Sequence, residues 1–347
     1  MMDRWQWLGM ALCLAFAGGG CGEDAESSGA HTNTGGTTGG SGGGHAGGGM
    51  GGLGGANTGG STGGAGGAGG EDPGPLFNQF EGLTSWCKVE VHNHAGRIGG
   101  VAESVAAYKA AGFDLIFLTD HDYDEQLAPI SDPDVVNLRG EEISEPRHGC
   151  ALGLSAPLQE LSFANIQEAI DAANAAGALY QINHPDRDDL PQDVVDPLTD
   201  LWAMEVGNSG TRWENAETLW DSQISQGKRT WGTFSDDAHS ADDVGRGWIM
   251  VGTASDCSEQ AVLASMAAGA FYASNGPTLT LSVSGGTISA TTDGSSITWW
   301  RENMAVIKAT NAAADSYTIS GDEVFVRIDA GDADGNSALS MPLFLRE

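Results

Sequence analysis

Eight histidines occur in the 347-residue chain, and six of them stand beside carboxylates in short clusters. They fall in His92-Asn93-His94, in Thr119-Asp120-His121-Asp122, at His148 after Gly140-Glu141-Glu142, in Asn183-His184-Pro185 and in Ser235-Asp236-Asp237-Ala238-His239. A lone histidine is more often structural, but no histidine of this body is used anywhere else. Imidazole plus carboxylate, without thiolate, is the donor mix of catalytic Zn²⁺, Mn²⁺ or Fe²⁺ sites. The chain has no Gly-x-Ser-x-Gly elbow to present a nucleophilic serine. Cys87, Cys150 and Cys257 show no CxxC spacing, which argues against a thiolate zinc site. In an oxidising compartment they allow one disulfide and one leftover thiol, with the pairing open.

Such groups can act together only if strand ends bring them to one place. Alternate residues of a strand face the same side, so His92 and His94 can point together, and Asp237 and His239 repeat the arrangement. Apolar runs at 88–91, 114–118, 151–154, 179–182, 202–206, 230–234 and 248–251 read as buried strands. Helical patterns at 102–111, 163–176, 214–226 and 259–268 each end before a glycine, the expected left-handed stop. This alternation predicts an α/β body with a parallel sheet, which about 200 residues could close into a barrel with catalytic groups on one face. After Pro277 the period falls to two, helices disappear, and Asp293-Gly294 and Asp334-Gly335 signal hairpins. A small all-β sandwich-like domain over 277–347 is expected, in a packing or spacing role.

Taken in order, the clusters resemble the PHP superfamily, named for polymerase and histidinol phosphatase. The resemblance spans roughly residues 90–276, inside an expected 76–276 domain, and implies a distorted (β/α)7-type barrel that hydrolyses phosphoesters with two or three divalent metals. Matched residue by residue, His92, His94, Glu142 and Asp237 resemble the ligands of one metal. Glu142 would bridge to a second held by His148 and His184, and His121 and His239 resemble ligands of a third. Family spacing favours Glu142 over Glu141 and Asp237 over Asp236. The match departs after His94, where trinuclear members carry a further histidine. That leaves two metals, three metals, or a third position completed by water or Asp120. Metals about 3.5–4 Å apart can share a water, lower its pKa and direct it in line at phosphorus.

Arg97 is the candidate phosphate clamp beside the metals, with Arg147 and Arg187 as weaker substrate contacts. Glu205 and Asn208, at the end of a later strand, could also touch substrate. Amidohydrolase-type chemistry is the nearest alternative, since those barrels also begin with His-x-His. It often uses a bridging lysine, and Lys88, Lys109, Lys228 and Lys308 are all badly placed for one. A non-catalytic, metal-containing surface binding protein is the third reading.

Composition sets the context. Of the 53 glycines, 23 lie within residues 29–70, a stretch too poor in apolar residues to fold. Residues 1–20 read as an export signal and 21–75 as a flexible tether with a span of roughly 40 Å. Small residues before Cys21 resemble a bacterial lipobox, although Gly18 stands where Leu is usual. That makes Cys21 the candidate lipidation site. The expected address is therefore the cell envelope through a lipid anchor, or otherwise the periplasm or medium. The charge is −32, from 47 acidic and 15 basic residues. So acidic a surface argues against extended nucleic-acid binding and suits a small phosphoester entering a metal-lined pocket.

Overall fold

The computed structural model describes residues 77–121, 127–158 and 162–345. The export signal, Cys21 and the glycine-rich tether lie outside the described residues. So does Asp122.

Strands β1 (Ser85–Glu90), β2 (Leu115–Leu118) and β3 (Val136–Ile143) run parallel. The chain then reverses directly into β4 (Gly149–Leu152), antiparallel to β3, and β5 (Leu179–Ile182) is antiparallel to β4. Next comes β6 (Ala203–Asn208), parallel to β5, followed by the short β7 (Thr211–Arg212) that hairpins onto it. Strand β8 (Trp231–Ser235) also pairs with β6 in parallel. Strand β9 (Trp248–Thr253) returns antiparallel to β1, and β10 (Phe271–Ser274) antiparallel to β9. The sheet curls so that β8 comes to lie beside β9 and β10.

Six α-helices accompany these strands among the described residues: α1 (Ala95–Ile98), α2 (Val101–Ala110), α3 (Ile166–Ala175), α4 (Gln192–Val195), α5 (Glu214–Ser225) and α6 (Glu259–Ala268). The four glycines expected to stop helices do so, with Gly112, Gly177, Gly227 and Gly269 all at φ between 73° and 80°. None of these helices is long and apolar enough to cross a membrane.

The expected (β/α)7-type barrel is not the architecture. The main sheet has 15 strands of mixed direction, and the fold is sheet-dominated and all-β-like. The physical reason lies first in the β3–β4 connection. Parallel neighbours need a crossover of a dozen or more residues, and only residues 144–148 separate these two strands. Besides the short β7 and the last two strands near the C-terminus, two strands of the main sheet escaped the sequence reading. One is β3, whose run Val-Asn-Leu-Arg-Gly-Glu-Glu-Ile is interrupted by polar side chains; the other is β10.

The C-terminal strands do not make a separate sandwich. Strands β11 (Leu279–Ser284), β12 (Thr287–Thr292) and β15 (Ala314–Thr318) form a three-stranded antiparallel sheet. Strands β13 (Ser296–Arg301), β14 (Ala305–Thr310), β16 (Phe325–Gly331) and β17 (Ser337–Ser340) instead extend the main sheet, and β18 (Leu343–Phe344) pairs with β16. The junction is β17 on β10. It covers an edge whose Phe271 and Ala273 are fully buried and which would otherwise be an open pairing surface.

Of the three body cysteines, Cys87 and Cys257 form the disulfide, clipping β1 to the segment before α6, and Cys150 is free and buried.

Candidate metal centre

The ends of β1 and β8 are joined by backbone bonds. The Asp237 amide donates to the His92 carbonyl (2.8 Å) and the His94 amide to the Ala238 carbonyl (3.0 Å). This pairing, just beyond both strands, sets His92 and His94 against Asp237 and His239. A second bridge joins His121, after β2, to Glu142 near the end of β3. His148 immediately precedes β4, and His184 lies two residues past β5. Two of these residues hold left-handed backbone, His184 at φ 23° and Asp237 at φ 48°. Non-glycine residues held in that region cluster at functional sites.

All eight expected ligands come together, five histidines around Glu142 and His239 against Asp237. Glu142 Oε2 is 3.2 Å from His92 Nε2, 3.3 Å from His94 Nε2 and 3.3 Å from His121 Nε2. Its Oε1 is 3.4 Å from His184 Nε2 and 3.9 Å from His148 Nδ1. Asp237 Oδ1 lies 3.0 Å from His94 Nε2, 3.4 Å from His92 Nε2 and 3.6 Å from His239 Nδ1. His92, His94 and His184 are buried. The side chains of His121, His148 and His239 are 37%, 33% and 49% exposed, so the cluster opens to solvent on their side. There an open cleft of about 310 Å³ is lined by His94, Gly96, Arg97, Asp120 and His121.

These buried groups could hold a metal ion. Four sets have ligand atoms mutually within 4.8 Å: His92-Glu142-His184, His92-His94-Asp237, His94-His121-Glu142 and His148-His184-Asp188. The donors fit a divalent cation, since all are nitrogen or oxygen. Nδ1 of His148 and of His184 are also buried without hydrogen-bond partners among the described residues. Asp188 is the addition that sequence missed, although its place in His184-Pro185-Asp186-Arg187-Asp188 was a signal.

Electrostatics point the same way. Burial pulls the His92 pKa down, but the Glu142 and Asp237 carboxylates overturn this and hold it well above its usual 6.5. His94 and His121 are lowered, chiefly by burial. Burial opposes ionisation of Glu142, yet the His92 charge and hydrogen bonds from His184 and His92 hold it well below the carboxylate range. Asp237 is likewise held low against burial by His92 and His94. Two ionised carboxylates, with the His94 and His121 imidazoles pushed towards neutrality, make a pocket that attracts a cation.

The other expected residues take varied places. Arg97 is exposed on the cleft. Arg187 reaches the cluster, with Nη1 3.3 Å from Asp237 Oδ2, whereas Arg147 is exposed on the loop before His148. Asp120 accepts the amides of Ala95 and Gly96, both at 2.8 Å, and so anchors the backbone after His94. Asn208 donates to Glu205 Oε2 (3.1 Å) and Asp237 Oδ2 (3.4 Å). Glu205 is fully buried and supports His92 rather than lining the cleft.

The neighbouring acids turn elsewhere. Glu141 accepts the Leu158 amide, and Asp236 accepts the amides of Gly245, Arg246 and Gly247. Asn183 escaped the sequence reading, and its Nδ2 donates to Glu142 Oε1 at 2.9 Å.

No family model matches the chain, and none of the curated proteins compared with it does. Among solved structures, PsfC from Pseudomonas syringae PB-5123 is similar over 48% of this chain and 82% of its own, at 14% identity and a TM-score of 0.37. An amidohydrolase from Chromobacterium violaceum, determined with bound sulfate and no metal, is similar over 44% of this chain and 87% of its own, at 14% identity and a TM-score of 0.33. Likenesses this distant carry no argument about function, which rests on the site itself.

Proposed function

We propose that the chain is a metal-dependent hydrolase that cleaves a small phosphomonoester or phosphodiester, using two or three divalent ions of the zinc, manganese or iron kind. The observation that carries this reading is the crowding of four imidazole Nε2 atoms within 3.4 Å of the two oxygens of buried Glu142. Protonating every ring would pack several cations into one buried space, and leaving them neutral would set lone pairs against a carboxylate. Cations between the nitrogens and oxygens remove both difficulties.

His92, His94, Glu142 and Asp237 would hold one ion. Glu142, His148 and His184 would hold another, with Asp188 beside them, and His121 and His239 are the donors for a third. Bound there, such ions supply a water of lowered pKa and Lewis-acid stabilisation of charge on phosphoryl oxygens. The chain's own residues do the rest. The half-exposed His121, His148 and His239 line the approach, and Arg97 offers a guanidinium on the cleft. Arg187, paired to Asp237, places a second cation at the rim. In so acidic a protein these two charges and the ions select a small anion. The ordered resemblance to the PHP superfamily supports the same substrate class, and an exported, lipid-anchored location accompanies it.

Amide hydrolysis with a bridging lysine has no residue to perform it. Lys88 sits over Phe113 and Trp248, Lys109 pairs with Asp132 and Asp134, Lys228 caps carbonyls near α4, and Lys308 pairs with Asp315.

A panel of phosphomonoesters, phosphodiesters and amides tests the proposal on purified protein. Phosphoester turnover should vanish with a chelator and return with Zn²⁺, Mn²⁺ or Fe²⁺. Turnover of amides alone, or phosphoester turnover indifferent to chelation, would overturn it.

A further inference from the structure

Glu205 sits on β6 with no exposed surface and is not among the ligand candidates. A buried carboxylate is tolerated only when its lone pairs are filled. Here Oε1 accepts from His92 Nδ1 (2.8 Å), Gln181 Nε2 (3.3 Å) and the Ser235 hydroxyl. Oε2 accepts from the backbone amide of His184 (2.6 Å) and from Asn208 Nδ2 (3.1 Å). One carboxylate thus collects the segments after β1 and β5, the ends of β6 and β8, and Gln181 within β5.

The two oxygens do different things. A carboxylate only accepts, so the 2.8 Å contact requires the proton of His92 to sit on Nδ1. The lone pair is then on Nε2, the atom 3.2 Å from Glu142 Oε2 and 3.4 Å from Asp237 Oδ1. The other oxygen grips the His184 main chain where φ is 23°, a conformation that needs support. That backbone delivers His184 Nε2 to Glu142 Oε1 on the opposite side of the cluster.

We propose that Glu205 is the positioning residue for two of the metal positions, that of His92 and that of His184, setting the tautomer of His92 with one oxygen and the backbone of His184 with the other. The inference rests on the metal reading of the Glu142 cluster and deepens it. A ligand on one side, such as His148, should affect one position, whereas Glu205 should affect two.

The test is Zn²⁺ affinity by chelator competition on wild type, Glu205→Gln, His148→Ala and Ser235→Ala, with circular dichroism of each metal-free protein. Glutamine preserves volume, but whichever way its amide turns, an NH₂ faces either His92 Nδ1–H or the His184 amide. Both wild-type equivalents should weaken about 10- to 100-fold in Glu205→Gln, as for other orienting partners of metal ligands. His148→Ala should weaken one, and Ser235→Ala, which removes another donor to the same oxygen, should weaken neither. Unchanged affinity in Glu205→Gln, loss of a single equivalent, or an equal loss in Ser235→Ala would each overturn the assignment.

Should Glu205→Gln not fold, nitrogen NMR of the His92 ring in Zn²⁺-loaded wild type decides. Nδ1–H with Nε2 coordinated is expected, and Nδ1 coordination contradicts it. Wild type that takes up no Zn²⁺ would sink the metal reading itself, a distinguishable result.

Discussion

Proton and metal compete for the same atom at His92. Its pKa is held well above 6.5 by Glu142 and Asp237, against the pull of burial. Coordination requires that nitrogen without its proton, so metal binding must release it. The sign follows: affinity rises with pH until the raised pKa of His92 is passed, by up to about tenfold per pH unit for one displaced proton. Chelator-competition titrations across that range, with proton release followed at neutral pH, should show this slope. Affinity that stays flat from slightly acid to alkaline pH would mean His92 is not a ligand. The candidate ligands were legible in sequence because imidazole and carboxylate recur in tight clusters, and the family resemblance favoured Glu142 over Glu141 and Asp237 over Asp236. Their supporters were not legible. Glu205 stood out only as a possible substrate contact and Asn183 not at all, because nothing local says which distant side chain each will meet.

At the scale of elements, the site depends on how β4 is seated between β3 and β5. His148 is delivered by the residue before Gly149, and a Cβ on Gly149 would lie 2.3 Å from the Tyr180 hydroxyl and 2.8 Å from the Gln181 carbonyl. The carbonyl belongs to the backbone of β5 and cannot swing aside. Gly149→Ala should therefore cost about 1–3 kcal/mol, as overpacking does, and should displace His148. A denaturant melt with a parallel zinc titration checks both, and a wild-type midpoint would show that the strands give way cheaply. Much at this scale was readable: the four longer helices and their glycine stops follow from helical patterning and left-handed caps, whereas the one-turn α1 and α4 did not stand out. The direction of strands was not. Alternating strand and helix signals imply parallel pairing, but the five residues between β3 and β4 force a reversal, and β3 itself was hidden by Asn137, Arg139, Glu141 and Glu142. The disulfide was equally hidden, since Cys87 and Cys257 are 170 residues apart.

Across the described residues, β10 and β17 make one continuous sheet from the strands that carry the histidine–carboxylate cluster to those near the C-terminus. The change of texture at Pro277 marks a change in strand pattern rather than an independent sandwich. The chain as a whole is strongly acidic, with a formal charge of −32. Glu142 and Asp237 contribute to that sum, and ions bound among them would make the cleft locally positive. On the proposed reading a small anion would be drawn to that cleft. The central claim is that the Glu142 cluster is a metal centre, and elemental analysis of the purified protein tests it most directly. Two or more equivalents of transition metal per chain in wild type, reduced in Glu142→Ala, are expected. Less than one equivalent in wild type, after growth and purification without chelator, would contradict the account.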